Sequence, residues 1–155
     1  MASNKDLDVQ IELINLESVK DAIQELGDSI SQHKVVDAAL KKGAQYLMNK
    51  GRLKLRQRMK NRKGVSGNLL KSFSYRIKKR KFGALVGFKE KGRHAHLVSQ
   101  GTRKRFTKKG LYRGFVTGNA FWEDTRSKET PRAMLIILNQ IKASINNIKN
   151  RYRNG

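Results

Sequence analysis

The sequence predicts an α+β fold, with a small antiparallel β-sheet, a long N-terminal helical segment and an amphipathic C-terminal helix. Three observations carry this. Apolar residues recur at helical spacing before residue 50 and again after residue 130. Between them, Phe73, Tyr75 and Ile77 alternate with Ser74, Arg76 and Lys78, the period of a half-buried strand. A chain of 155 residues holds one domain with a real core and is short for two of ordinary size.

Taken in order, residues 1–15 read as a strand or arm, since Val9, Ile11 and Leu13 alternate with Gln10, Glu12 and Ile14. Residues 16–60 are expected to be helical. Asn15 is a candidate cap, and Leu16, Val19, Ile23, Leu26 and Ile30 follow at spacings of 3, 4, 3 and 4 on one face. Gly27-Asp28 is expected to break or kink this segment, after which Val36, Leu40, Ala44 and Leu47 share a face. From Arg52 to Lys60, Leu53, Leu55, Gln57 and Met59 alternate with basic residues in a strand-like way. The preceding helix and the strong helix formers favour continued helix.

Residues 61–100 are expected to form a β-hairpin region. Gly64, Ser66 and Gly67 mark a loop, Phe73–Lys78 is the first strand, and Gly83 turns into Ala84–Lys89. His94–Gln100 is a short apolar element whose type the pattern leaves open. Residues 101–118, rich in Gly, Lys and Arg, are expected to be a long basic loop, and loops of that length are usually functional or disordered. Thr130 is expected to cap a final helix over 130–152, with Pro131 at its first position. Its stripe of Met134, Leu138, Ile141, Ile145, Ile148 and Tyr152 serves either as core or as a contact between subunits.

The formal charge is +23, and its distribution is uneven. Residues 1–49 carry a net charge of −3, residues 50–113 carry +22 with Glu90 as the single acid, and residues 114–155 carry +4. Such a field selects polyanionic or acidic partners and opposes self-association unless it is neutralised. With no cysteine, disulfides and thiolate metal sites are excluded. Asp6, Asp8 and Glu12 interrupt any signal-peptide core, and the longest apolar run, Ala133–Leu138, is far short of a bilayer span. No membrane partner is expected.

Catalytic chemistry finds no support. His94-x-His96 lacks a third metal ligand. Ser72, Ser74 and Ser99 have no motif supplying a base and an orienting acid. Glu123 and Asp124 are adjacent and so do not face each other; they read as acids favourable to a helix N-terminus. Gly64-x-x-Gly67 and Gly110 lack the context of a phosphate loop. No cofactor is expected, and the chain reads as a binding or assembly protein.

Its candidate contact residues are Lys78, Lys79, Arg80 and Lys81, then Arg103, Lys104, Arg105, Lys108, Lys109 and Arg113, interleaved with Phe82, Phe106, Tyr112 and Phe115. Cations of this density bind phosphates without reading sequence, and aromatics add stacking on exposed bases. A solvated lysine-rich face is the ordinary fate of a charge run, but 23 basic residues against one acid cannot be balanced locally. On charge alone, a stand-alone, sequence-nonspecific nucleic-acid-binding protein is a second reading.

Three ordered segments carry a resemblance. Gly67-Asn68-Leu69-Leu70-Lys71-Ser72-Phe73 resembles a Gly-x-Leu-x-x-Ser-(apolar) signature. His94-Ala95-His96-Leu97-Val98-Ser99-Gln100-Gly101-Thr102 is similar to an aromatic-Ala-x-x-Val-Glu-x-Gly-Thr element, with Ser99 at the acidic position. Thr117-Gly118-Asn119-Ala120-Phe121-Trp122 resembles a Pro-x-Pro-Phe-(apolar) segment without its prolines. Together they resemble the tail-component, or tail-completion, proteins of the head-tail neck of long-tailed bacteriophages.

The resemblance implies a virion protein, assembled in the host cytoplasm, that forms a hexameric or dodecameric ring joining the head connector to the tail. DNA passes through such a ring, and a basic lumen or rim would meet that DNA or an acidic neighbouring ring. Gly67, Leu69, Ser72, Gly101, Thr102 and Phe121 would then be structural. The glycines permit tight turns, and the Ser72 and Thr102 hydroxyls can satisfy local backbone groups.

Overall fold

A computed structural model describes residues 9–12, 23–24, 29–59, 67–78 and 83–153. The elements are β1 (Val9–Glu12), α1 (Ser29–Met59), α2 (Asn68–Ser72), β2 (Phe73–Ile77), β3 (Gly83–Phe88), α3 (Ala95–Gln100) and α4 (Phe121–Arg153), with a 3₁₀ turn at Glu90–Gly92. The chain is therefore α+β. Ile23 and Gln24 are helical and Ile23 is buried. The rest of the expected helix over 16–26, its break at Gly27-Asp28, and Lys79, Arg80 and Lys81 lie outside the described residues.

The long helix α1 is held by one apolar face. Val36, Ala39, Leu40, Ala44, Leu47 and Leu55 are buried at successive spacings of 3, 1, 4, 3 and 8, so they stack along one side. The strand-like alternation after Arg52 does not produce a strand. Leu55 is fully buried on the same helical face, while Leu53 stands half out in solvent.

The sheet is antiparallel in the order β1-β3-β2. Phe73 pairs with Phe88, Tyr75 with Val86 and Ile77 with Ala84. On the other side of β3, Val9 pairs with Val86 and Ile11 with Ala84. The β2–β3 face bearing Phe73, Ala84 and Val86 packs into the core, where those three side chains are buried. Phe73 is the hub of the aromatic packing. Its ring lies 4.3 Å from Phe88 and 5.1 Å from Trp122, both edge-on, the arrangement that ring quadrupoles favour.

Helix α4 runs antiparallel to α1 and starts earlier than the sequence implies. Its first residue is Phe121, not Thr130, and Pro131 lies inside it. The start is set by Asn119, whose side-chain oxygen accepts the Phe121 N–H, and by Ser99, whose hydroxyl oxygen accepts the Trp122 N–H at 3.4 Å. Pro131 leaves the Ser127 carbonyl without its usual helical donor. The helix continues because it is anchored on both sides, by Phe121, Trp122 and Thr125 before and by Ala133, Ile137, Ile141 and Ile145 after, all buried. The apolar stripe is divided accordingly. Ile141 and Ile145 are core, Met134, Leu138 and Ile148 pack half-buried at its margin, and Tyr152 is exposed.

Two glycines set the closeness of this packing. A Cβ on Gly43 would lie 2.4 Å from Ile137 Cγ1, and one on Gly51 would lie 2.6 Å from the Phe73 ring.

Candidate functional site

Residues 101–118, expected as a loop, form a paired arm. The Thr102 N–H donates to the Val116 carbonyl, and the Val116 N–H donates to the Thr102 hydroxyl oxygen, both at 2.8 Å. Further out, Arg105 N–H donates to the Gly114 carbonyl and Arg113 N–H to the Arg105 carbonyl. At the tip, Gly110 N–H donates to the Thr107 carbonyl, closing a turn, Thr107 N–H donates to the Leu111 carbonyl, and Leu111 N–H donates to the Thr107 hydroxyl oxygen. Gly110 and Gly114 have φ of +79°, a conformation costly for residues with a Cβ. Alternation of apolar and polar residues is absent here, so a pattern search reads a loop; the pairing rests on glycine turns and threonine hydroxyls instead.

The base of the arm is pinned to the domain. Gly101 bridges Thr117. Asn119 N–H donates to the Val98 carbonyl and Ala120 N–H to the Ser99 carbonyl, which ties the arm's exit to α3. Gly101 and Gly118 are in backbone contact: a Cβ on Gly101 would lie 2.6 Å from the Gly118 nitrogen. The stretch His94–Gln100, left open in type, is the helix α3 with Ala95 and Ser99 buried. His96 Nδ1–H donates to the Arg93 carbonyl at 2.8 Å.

All six arm cations are exposed: Arg103, Lys104, Arg105, Lys108, Lys109 and Arg113. Lys78 is separate from them, half-buried at the end of β2, where its N–H donates to the Gly83 carbonyl. The arm also carries exposed apolar side chains, with Phe106 60%, Leu111 66%, Tyr112 55% and Phe115 55% accessible. Phe106 and Tyr112 are bridge partners, and their rings lie 5.6 Å apart.

The remaining motif residues are structural in their contacts. Leu69 and Ser72 are buried, and Ser72 Oγ–H donates to the Leu69 carbonyl at 2.8 Å. Gly67 takes φ of +73° just before α2, and Phe121 is fully buried. Arg58, which sequence reasoning did not single out, clamps the start of α4 by donating to the Asn119 carbonyl and the Asp124 carboxylate. That guanidinium holds the Asp124 carboxyl below the usual carboxylate range. Across the same helix pair, the Tyr46 hydroxyl donates to Glu129 at 2.7 Å. This bond, then burial, raises the Tyr46 phenol above its ordinary value.

Among the described residues, no cluster of His, Asp and Glu is arranged to hold a metal ion, and no helix is long and apolar enough to cross a membrane. Of two surface depressions, one lies beside Tyr75 and Phe88 and the other beside Lys71, Ser72 and Glu90, where the Ser72 hydroxyl donates to the Leu69 carbonyl and Glu90 pairs with Arg93.

A family model described as "Bacteriophage HK97-gp10, putative tail-component" matches residues 17–101, more than half of the chain. The match takes in α1, the sheet strands β2 and β3, the first motif segment and the second as far as Gly101; it ends where the arm begins. No curated protein and no solved structure shows a significant match.

Proposed function

This chain belongs to the HK97-gp10-like family of phage tail components, and from that premise we propose that it is a structural virion protein of the phage neck. In this reading, copies form a ring, hexameric or dodecameric, that completes the tail or joins it to the head connector. The role is one of assembly rather than catalysis, and its basic surface faces DNA in passage or an acidic neighbouring ring.

The observation that supports the basic face is the asymmetry of charge: +22 over residues 50–113 against −3 over residues 1–49. Repeated around a ring, a cationic block of this size makes a band of positive potential, which screens phosphate charge without reading sequence.

The test is direct. Electron microscopy and native mass measurement of the purified full chain, with and without a 30-base-pair duplex, are expected to give closed rings. Mass spectrometry of purified virions is expected to detect the protein in near-stoichiometric copy number. A strict monomer that is absent from virions overturns the reading. If that monomer bound duplex DNA with a steep salt dependence, the stand-alone nucleic-acid binder suggested by charge would take its place.

A further inference from the structure

The arm combines two kinds of surface that a DNA lining does not need together. Duplex backbone is contacted by cationic and polar groups, and in sequence-independent binding aromatic rings gain chiefly from unpaired bases. Leu111, the most exposed apolar residue of the arm, gains from neither. Phe106, Leu111, Tyr112 and Phe115, each more than half exposed, instead have the make-up of an interface anchor: aromatic and aliphatic bulk at the centre, arginine and lysine around it.

We infer that the 102–117 arm is a protein-docking arm. Its Phe106–Tyr112 tip seats in an apolar pocket, rimmed by Asp and Glu, on a different protein of the particle. This rests on the reading of the chain as a virion component and names the partner of that component.

Three features favour this occupant. The arm is pre-formed, because the bonds at Thr102–Val116, Arg105–Gly114 and Thr107–Leu111 fix its backbone, so little ordering cost opposes docking. Phe106 and Tyr112 are cross-strand bridge partners with rings 5.6 Å apart, which presents them together to one pocket. Charge selects the partner's sign. The six arm cations have no acid among them, and the basic block of a second copy, residues 50–113 at +22, offers them no acidic rim. Two carboxylates that a second copy could offer, Asp124 and Glu129, are already engaged by Arg58 and by Tyr46.

The experiment uses the full chain in assembling particles. With p-benzoylphenylalanine in place of Phe106, irradiation is expected to link the arm to another virion protein. Mass spectrometry should find the linked peptide apolar, with Asp or Glu within about four residues, as a rimmed anchor pocket requires. The variant F106S/Y112S is expected to be incorporated into particles about 30-fold less well, the loss typical of anchor residues. It should hold its affinity for a 30-base-pair duplex within about twofold, because its cations are unchanged. Crosslinks to DNA, or to another copy of this chain, overturn the inference, as does unimpaired incorporation of F106S/Y112S. Because both residues are exposed, an unchanged melting temperature separates lost docking from misfolding. Wild-type protein missing from virions would instead overturn the tail-component reading; wild-type present with the variant unaffected overturns the arm alone.

Discussion

Gly43 on α1 meets Ile137 on α4 with no room between them for even a methyl group. The Ala133 carbonyl closes the other side, 3.1 Å from the position a Cβ would take. Gly43→Ala is therefore expected to destabilise the fold. Overpacking costs about 1–3 kcal/mol against a helix-propensity gain of roughly 1 kcal/mol. Urea unfolding should show a lower midpoint with an unchanged slope. Trimming the neighbour in the double variant Gly43→Ala/Ile137→Val should recover part of the loss, a non-additivity that identifies the contact.

The aromatic hub predicts a contrast. Phe73→Ala removes a fully buried ring that touches Phe88 and Trp122, and should cost about 3–5 kcal/mol. Phe115→Ala, on the exposed arm, should stay within about 0.5 kcal/mol of the wild type. Thermal melts, with near-ultraviolet dichroism reporting on Trp122, distinguish the two. Equal losses would place the arm in the cooperative core.

The clamp between Arg58 and Asp124 predicts an acid-dependent difference. The folded carboxyl is held below its unfolded value, so its contribution is complete above the unfolded pKa of about 4. It fades as pH falls through the folded value. Asp124→Asn is expected to melt earlier than the wild type at pH 7, with the gap narrowing in acid. A gap of constant size down to pH 2 would count against the clamp.

Tyr46 behaves in the opposite sense. Its phenol is raised by donating to Glu129, so the stability it lends is complete below about pH 10 and is lost as pH rises through the folded value. Ultraviolet titration should find one tyrosine ionising later than the ordinary phenol. That late step should be absent in Tyr46→Phe and move earlier in Glu129→Gln. No change in Glu129→Gln would assign the late step to burial instead.

How much of this was legible in the sequence depends on what each element relies on. The α+β class, the β2–β3 pairing and the core face of α1 rest on periodic burial, and Phe73, Tyr75 and Ile77 or Val36, Leu40 and Leu47 state that period openly. The start of α4 was misread because Pro131 is a strong first-turn signal. The capping is done by Asn119 and Ser99, the latter brought in from 23 positions away in sequence. The buried face of α4 was placed slightly off because Ala133, small and weakly apolar, is one of its fully buried members. Of the contact residues, the arm's cations were visible as a charge run. Their arrangement on a paired scaffold was not, since glycine turns and hydroxyl bonds leave no hydrophobic period. Arg58 was invisible for the same reason: its partners exist only once the chain has folded.

The pinning of the arm at Gly101 and Gly118 has a consequence for how this protein can change. Both ends leave the domain through one backbone crossing, so the segment between them is an exchangeable cassette. It can be shortened, lengthened or swapped for another chain's tip without asking the helices to move. The exposed tip can then diverge quickly on a scaffold that stays fixed, and an engineered graft at that crossing would hand the same helical body a new address.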